Sequence, residues 1–139
     1  MNSARRSAGT ALALCLAVVG CDTLGPSDPL GRFDWAELEQ TSAEASQFTQ
    51  IGLDVLLIGD INTPTSCFRL SPDYQASGTT ATLRIRALAT NRTGCSAQPT
   101  TYRYNATLRN LEGMTDLRVV HDVEGEQPRE YNHSLDPNP

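Results

Sequence analysis

The densest set of side chains able to hold a metal ion or move a proton is His121, Asp122, Glu124 and Glu126, clustered near the C-terminal end. A zinc or hydrolytic site would need the imidazole and the carboxylates to converge on one point. The surrounding pattern is that of a strand: Leu117, Val119, His121 and Val123 alternate with Arg118, Val120 and Asp122, so successive side chains point to opposite faces. His121 is thereby separated from Asp122, Glu124 and Glu126. It is expected to be a half-buried histidine hydrogen-bonded to a neighbour. Asp60-Ile61-Asn62 opens like a calcium loop, yet Thr65 stands where the turn glycine is needed and Ser71 where the bidentate glutamate is needed. No Gly-x-Ser-x-Gly elbow, phosphate-cradling glycine loop or paired-histidine zinc motif occurs. These residues nominate no catalytic group, no metal ligand and no cofactor.

The N-terminus carries chemistry of another kind. Arg5 and Arg6 precede the apolar run from Ala11 to Val19, which closes on Gly20-Cys21. Basic start, apolar middle and small-residue end are the three parts of a secretory signal. The apolar run is about nine residues, far below the roughly 20 that a helix needs to cross hydrocarbon, which argues against a transmembrane anchor. Val18-Val19-Gly20-Cys21 resembles the lipobox of bacterial lipoproteins. The resemblance implies that the Cys21 thiol takes a diacylglyceryl group and that residues 1–20 are removed as a signal peptide. The new amine is then acylated, palmitate being a common chain. Each buried methylene adds about 0.8 kcal/mol, so two or three chains give near-permanent anchoring. The protein is therefore expected to be exported and membrane-anchored, at the periplasmic face of the inner or outer membrane or at the cell surface. Asp22 does not decide between them.

With Cys15 inside the signal and Cys21 carrying lipid, Cys67 and Cys95 are the pair left in an exported domain, where disulfides form and persist. A disulfide between them is predicted. It closes a loop of about 29 residues, worth roughly 3–4 kcal/mol in the chain-entropy model. A redox or metal-binding thiol pair would call for closer Cys-x-x-Cys spacing and a nearby histidine.

The chain has 139 residues, room for one domain, and a formal charge of −5. Setting aside Arg5 and Arg6 leaves nine of the eleven basic side chains, all arginine, against sixteen acidic ones. No basic stripe is present to neutralise phosphates, so nucleic acid is excluded as a partner. Arg84, Arg86, Arg103 and Arg109 could share one sheet face and receive an acidic partner, although alternating arginines are also the ordinary solvated side of a sheet.

The elements follow from periodicity. Residues 21–33, rich in Gly, Pro, Ser and Asp, suit a flexible lipidated tether. Asp34-Trp35-Ala36-Glu37 fits a capping box, but Thr41, Ser42, Ser46 and Thr49 are poor helix formers, so residues 34–48 are either a short helix or an early strand. Ile51, Leu53, Val55 and Leu57 alternate, with Leu56 and Ile58 adding apolar residues on the second face, which reads as a strand covered on both sides. Residues 67–70 form a short strand ending at Ser71-Pro72-Asp73. Ala81 to Thr90 and Thr101 to Arg109 alternate apolar with polar, the latter placing Tyr102, Tyr104, Ala106 and Leu108 inward. Residues 34–126 are therefore expected to form the domain and residues 127–139 a polar tail, with at most an edge pairing near Glu130-Tyr131.

Short strands at regular spacing predict an all-β, antiparallel sandwich. The stretch from Tyr102 to Val119, a tyrosine-rich strand, Leu-x-x-Leu, a turn with Gly113 and a second strand, resembles the late strands of immunoglobulin-like and fibronectin type III modules. That resemblance implies a small immunoglobulin-like sandwich, full or reduced. The functional expectation is a non-enzymatic lipoprotein whose domain is an interaction or structural module with a protein partner. An inhibitor of a secreted hydrolase, using residues 62–66 as its loop, is the alternative. A small enzyme is the third reading, and it would require His121 or a carboxylate cluster to line a pocket. Oligomeric state is not readable from these patterns.

Overall fold

The structure, a computed structural model, describes residues 28–139. The expected signal, Cys21 and most of the expected tether lie outside the described residues. Eight strands follow in chain order: β1 (Leu30–Glu37), β2 (Ala45–Ile51), β3 (Asp54–Thr63), β4 (Phe68–Ser77), β5 (Thr80–Ala89), β6 (Thr100–Leu108), β7 (Asp116–Val123) and β8 (Arg129–Ser134). They build two four-stranded sheets, ordered β1-β6-β3-β2 and β4-β5-β7-β8, which pack as a sandwich around one core.

Alternation dictates what fills that core. Val55, Leu57 and Ile61 of β3 and Tyr102, Tyr104, Ala106 and Leu108 of β6 face inward from the first sheet. Ala81, Leu83, Ile85 and Ala87 of β5, with Leu117, Val119 and Val123 of β7, meet them from the second. Central strands carry the strictest alternation because both neighbours and the facing sheet constrain them. The β4–β5 hairpin closes with Ser77 opposite Thr80, and the turn between them is made by Gly78 at φ +59°, a backbone angle that costs glycine nothing.

Within residues 34–48 the chain is extended wherever it is regular: β1 pairs with β6 and β2 with β3, and no helical turn forms. The sandwich also reaches past residues 34–126 at both ends. β1 begins at Leu30, inside the stretch read as tether, and β8 occupies part of the stretch read as a polar tail. Its Glu130 and Tyr131 pair with Val120 and Val119. β8 is an edge strand with only Tyr131 and His133 turned partly inward, so its composition remains polar although its backbone is bonded. β4 continues through Pro72 to Ser77, which an edge position permits because one side of the strand needs no N–H partner.

The expectation of an all-antiparallel sandwich fails at one pairing. β5 and β7 run parallel, from Thr80 against Asp116 to Ala87 against Val123. Parallel neighbours need a crossover connection, and β6, which lies in the opposite sheet, supplies it.

Candidate interaction surface

His121 is the first residue to place. It is 1% exposed, more deeply buried than its half-apolar strand pattern suggests, and sits on the inward row of β7 with Val119 and Val123. Its Nε2 lies 2.9 Å from the Tyr104 hydroxyl, the Tyr131 ring packs beside it, and its Nδ1 has no hydrogen-bond partner among the described residues. Burial, aided by the positive charge of Arg129, pushes its pKa down to about 4, so the ring is neutral at neutral pH. Burial likewise raises the Tyr104 phenol far above its ordinary value. Asp122 points away from the imidazole and pairs with Arg84 at 2.9 Å, as strand geometry requires. His121 and the carboxylates following it are not brought together. Among the described residues no three His, Cys, Asp or Glu side chains converge on a point that could hold a metal ion.

The two outer faces of the sandwich differ sharply. On the β4-β5-β7-β8 sheet, Arg84 pairs with Asp122, Arg86 with Asp73 at 3.8 Å and Arg118 with Glu130 at 3.9 Å, giving a solvated, charge-laced surface. Arg103 is on the other sheet and Arg109 follows β6 with its side chain against Gly31, so the four arginines do not form one acidic-partner face. Alternation had grouped them correctly as outward-facing. Which sheet each strand joins was the missing information.

The outer face of the β1-β6-β3-β2 sheet is built from three rows fixed by register. Thr49, Leu56, Thr107 and Arg32 form one; Gln47, Ile58, Asn105 and Asp34 the next; Ala45, Asp60, Arg103 and Ala36 the third. Ile51 extends the apolar line at the end of β2. Leu56 is 43% exposed, Ile58 49% and Ile51 60%, so the second apolar face of β3 is open rather than covered. A cover over that face is absent among the described residues. The strands flanking β3 present Gln47, Thr49, Asn105 and Thr107 beside Leu56 and Ile58, a mixed face that a second layer would not leave polar, and it is the strand order, not alternation, that brings them together.

Next to this apolar line sits a rigid ion pair. Asp60 is 6% exposed and accepts hydrogen bonds from Arg103 Nε (2.8 Å) and Nη2 (2.9 Å) and from Ser42 Oγ (2.7 Å). The Arg103 guanidinium holds the Asp60 carboxyl below the ordinary carboxylate range. Ala45, Gln47, Ile58, Asp60 and Arg103 line a shallow depression of about 240 Å³, and Gln47, Thr49, Leu56 and Ile58 border a neighbouring one of about 210 Å³. Apolar relief beside fixed polar groups is what a partner surface can grip.

Cys67 and Cys95 are bonded, with their Cα atoms 5.3 Å apart. The bridge ties the start of β4 to the segment before β6. Within residues 62–66, Thr63 and Ser66 are buried while Pro64 is exposed; the Ser66 carbonyl accepts from the Tyr102 hydroxyl at 2.8 Å, and Ser66 N donates to the Ser96 carbonyl.

No protein-family model, curated protein or solved structure matches this chain.

Proposed function

We propose that this protein is an exported, lipid-anchored module without catalytic activity. Its sandwich binds a protein partner through the outer face of the β1-β6-β3-β2 sheet. The observation that carries the reading is the contrast between the two outer faces: one is laced with paired charges, while the other exposes Leu56, Ile58 and Ile51 in a line. Solvated sheet faces ordinarily alternate to polar residues, so an open apolar line on one side only has the composition of a contact surface. The lipobox-like Val18-Val19-Gly20-Cys21 supports placement at a membrane, and the Cys67–Cys95 bridge suits an oxidising compartment. In fold, the reading is a variant of the immunoglobulin-like plan. Supporting it, β6 and β7 are successive strands in opposite sheets, as the corresponding strands of that plan are. The parallel β5–β7 pair sets it apart.

Two measurements test the parts separately. In cells fed labelled palmitate, the wild-type chain should incorporate label and lose residues 1–20, and Cys21→Ser should do neither; label in the Cys21→Ser protein would remove the lipid anchor from the proposal. Affinity recovery of the lipidated protein from its own membranes should yield a partner that Leu56→Arg loses and Arg86→Glu keeps. Equal recovery with both variants would place the contact elsewhere.

A further inference from the structure

We propose that the occupant of this face is a second copy of the chain, docked about a two-fold axis near Ile58; this rests on the binding role proposed above for the same surface. Charge is the first argument. The three rows of the face carry two arginines, Arg32 and Arg103, and two aspartates, Asp34 and Asp60, each joined to its opposite: Arg32 to Asp34 and Arg103 to Asp60. The patch is locally neutral on a chain whose formal charge is −5. Within these three rows no carboxylate and no guanidinium lacks its opposite; beyond them Asp54, across from Ile51 at the end of the face, is exposed and accepts the Asn110 amide. What fits a neutral, partly apolar surface is another such surface, and this molecule displays one.

Self-complementarity is the second argument. In a two-fold contact the same patch meets itself. With the axis along β3, Leu56 and Ile58 would bury against their own copies, and Gln47 would face Asn105 of the second copy across the row, two amides that each offer both donors and an acceptor and so can pair. The opposite face would bring three ion pairs, Arg84–Asp122, Arg86–Asp73 and Arg118–Glu130, into the contact with no exposed large apolar side chain among them, against the two pairs and the Leu56–Ile58 line of this face.

Size is the third. Strands about 4.8 Å apart and about seven residues long give four of them a footprint of roughly 450 Å² per copy. Two copies would bury roughly 900 Å², below the roughly 1,000 Å² that a stable specific interface clears, so the dimer should be weak and transient in dilute solution. Anchoring both copies to one membrane raises their effective concentration without any new contact.

Cysteine cross-linking of the full-length lipidated protein in its native membranes tests this. With Cys21 carrying lipid and Cys67 bonded to Cys95, a single introduced cysteine is the only free thiol of the mature chain. Irradiating the Ile58→Cys protein after coupling a benzophenone maleimide to its thiol, a probe long enough to span the roughly 10 Å between packed sheets and able to insert into the C–H bonds of whatever lies there, should give a band at twice the monomer mass. The Arg86→Cys protein, altered on the charged face, should give about ten-fold less, and adding Leu56→Arg to Ile58→Cys should lower the band by about ten-fold. Equal dimer at both positions, or a dimer insensitive to Leu56→Arg, would overturn the proposal. An Ile58→Cys adduct of a different mass would overturn self-association while leaving the binding face intact, and no adduct of any size would overturn both.

Discussion

The hydroxyl of Tyr104 and Nε2 of His121 stand 2.9 Å apart and join the two sheets through the middle of the core. The imidazole is held neutral, with its pKa near 4 against an ordinary 6.5, so only the unfolded chain takes up a proton between those values. Stability that is fully present above pH 6.5 should therefore decline as the pH falls toward 4, by up to about 3 kcal/mol in total. His133, also lowered by burial, adds a loss of the same sign. Asp60 acts differently: its lowered carboxyl contributes above its ordinary 3.8 and is lost only below that value. Urea midpoints measured from pH 7 to pH 4.5 should fall for the wild type and be much flatter for Tyr104→Phe/His121→Phe, which removes both polar partners together. A wild-type midpoint that did not move would mean the imidazole is hydrated.

Gly59 lies directly beneath Tyr104 across the β3–β6 pair, and a Cβ there would strike the phenol ring and its hydroxyl. Gly59→Ala should destabilise the domain by about 1–3 kcal/mol through overpacking. Removing the ring relieves the clash, so Gly59→Ala should cost markedly less in a Tyr104→Ala background. Additive costs in thermal or chemical denaturation would show that the ring moves aside freely.

Arg103→Ala leaves Asp60 buried with Ser42 as its remaining side-chain partner. Because the Arg103 side chain is 48% exposed, the pair is screened by solvent, and the loss should be well short of that of a fully buried bridge. Asp60→Asn should restore part of it in the double variant, since a neutral amide tolerates the missing guanidinium better. Denaturation midpoints of the four proteins in the cycle decide the point; an Asp60→Asn change that worsened Arg103→Ala would contradict it.

Replacing Cys67 and Cys95 with alanine should lower stability by about 3 kcal/mol. The far-ultraviolet signature of the sheets should survive, because the Ser66–Ser96 backbone bond, the Tyr102–Ser66 bond and the Arg92 guanidinium on the Ser66 carbonyl continue to hold the segment. Loss of folding altogether in non-denaturing buffer would assign the bridge a larger share than chain entropy allows.

Much of the central fold was legible in the sequence, and the reason is physical. β5, β6 and β7 sit between two partners and against a facing sheet, so Ala81 to Ala87, Tyr102 to Leu108 and Leu117 to Val123 must alternate, and they do save at Val120, an apolar residue buried on the outward row of β7. The edge strands β1, β2 and β8 each have one partner and keep polar residues, which is why residues 34–48 could be read either way and residues 127–139 as a tail. The disulfide could be read from the cysteine count together with the expectation of export. The candidate face could not, because alternation assigns a residue to a side of its own strand and is silent on which strands lie next to it. Leu56 and Ile58 were visible as apolar, but their openness depends on there being no layer above them. His121 was separated correctly from the neighbouring carboxylates, yet its contact with Tyr104 depends on two strands in different sheets meeting across the core.

The path from β5 through β6 to β7 has a consequence for how the molecule reaches its native state. The chain leaves the second sheet, lays down the strand that joins β1 and β3 in the first, and returns to close the parallel pair. β1 must wait for β6, which is synthesised some seventy residues later, and β7 cannot dock in line until β6 has crossed. With so many pairings remote in sequence, loop closure precedes most of the contacts that reward it, and folding should be slow for a chain of this size, on the order of milliseconds to seconds. Neither sheet can be assembled and stored as a finished half. The sandwich should therefore appear, and come apart, in one concerted step.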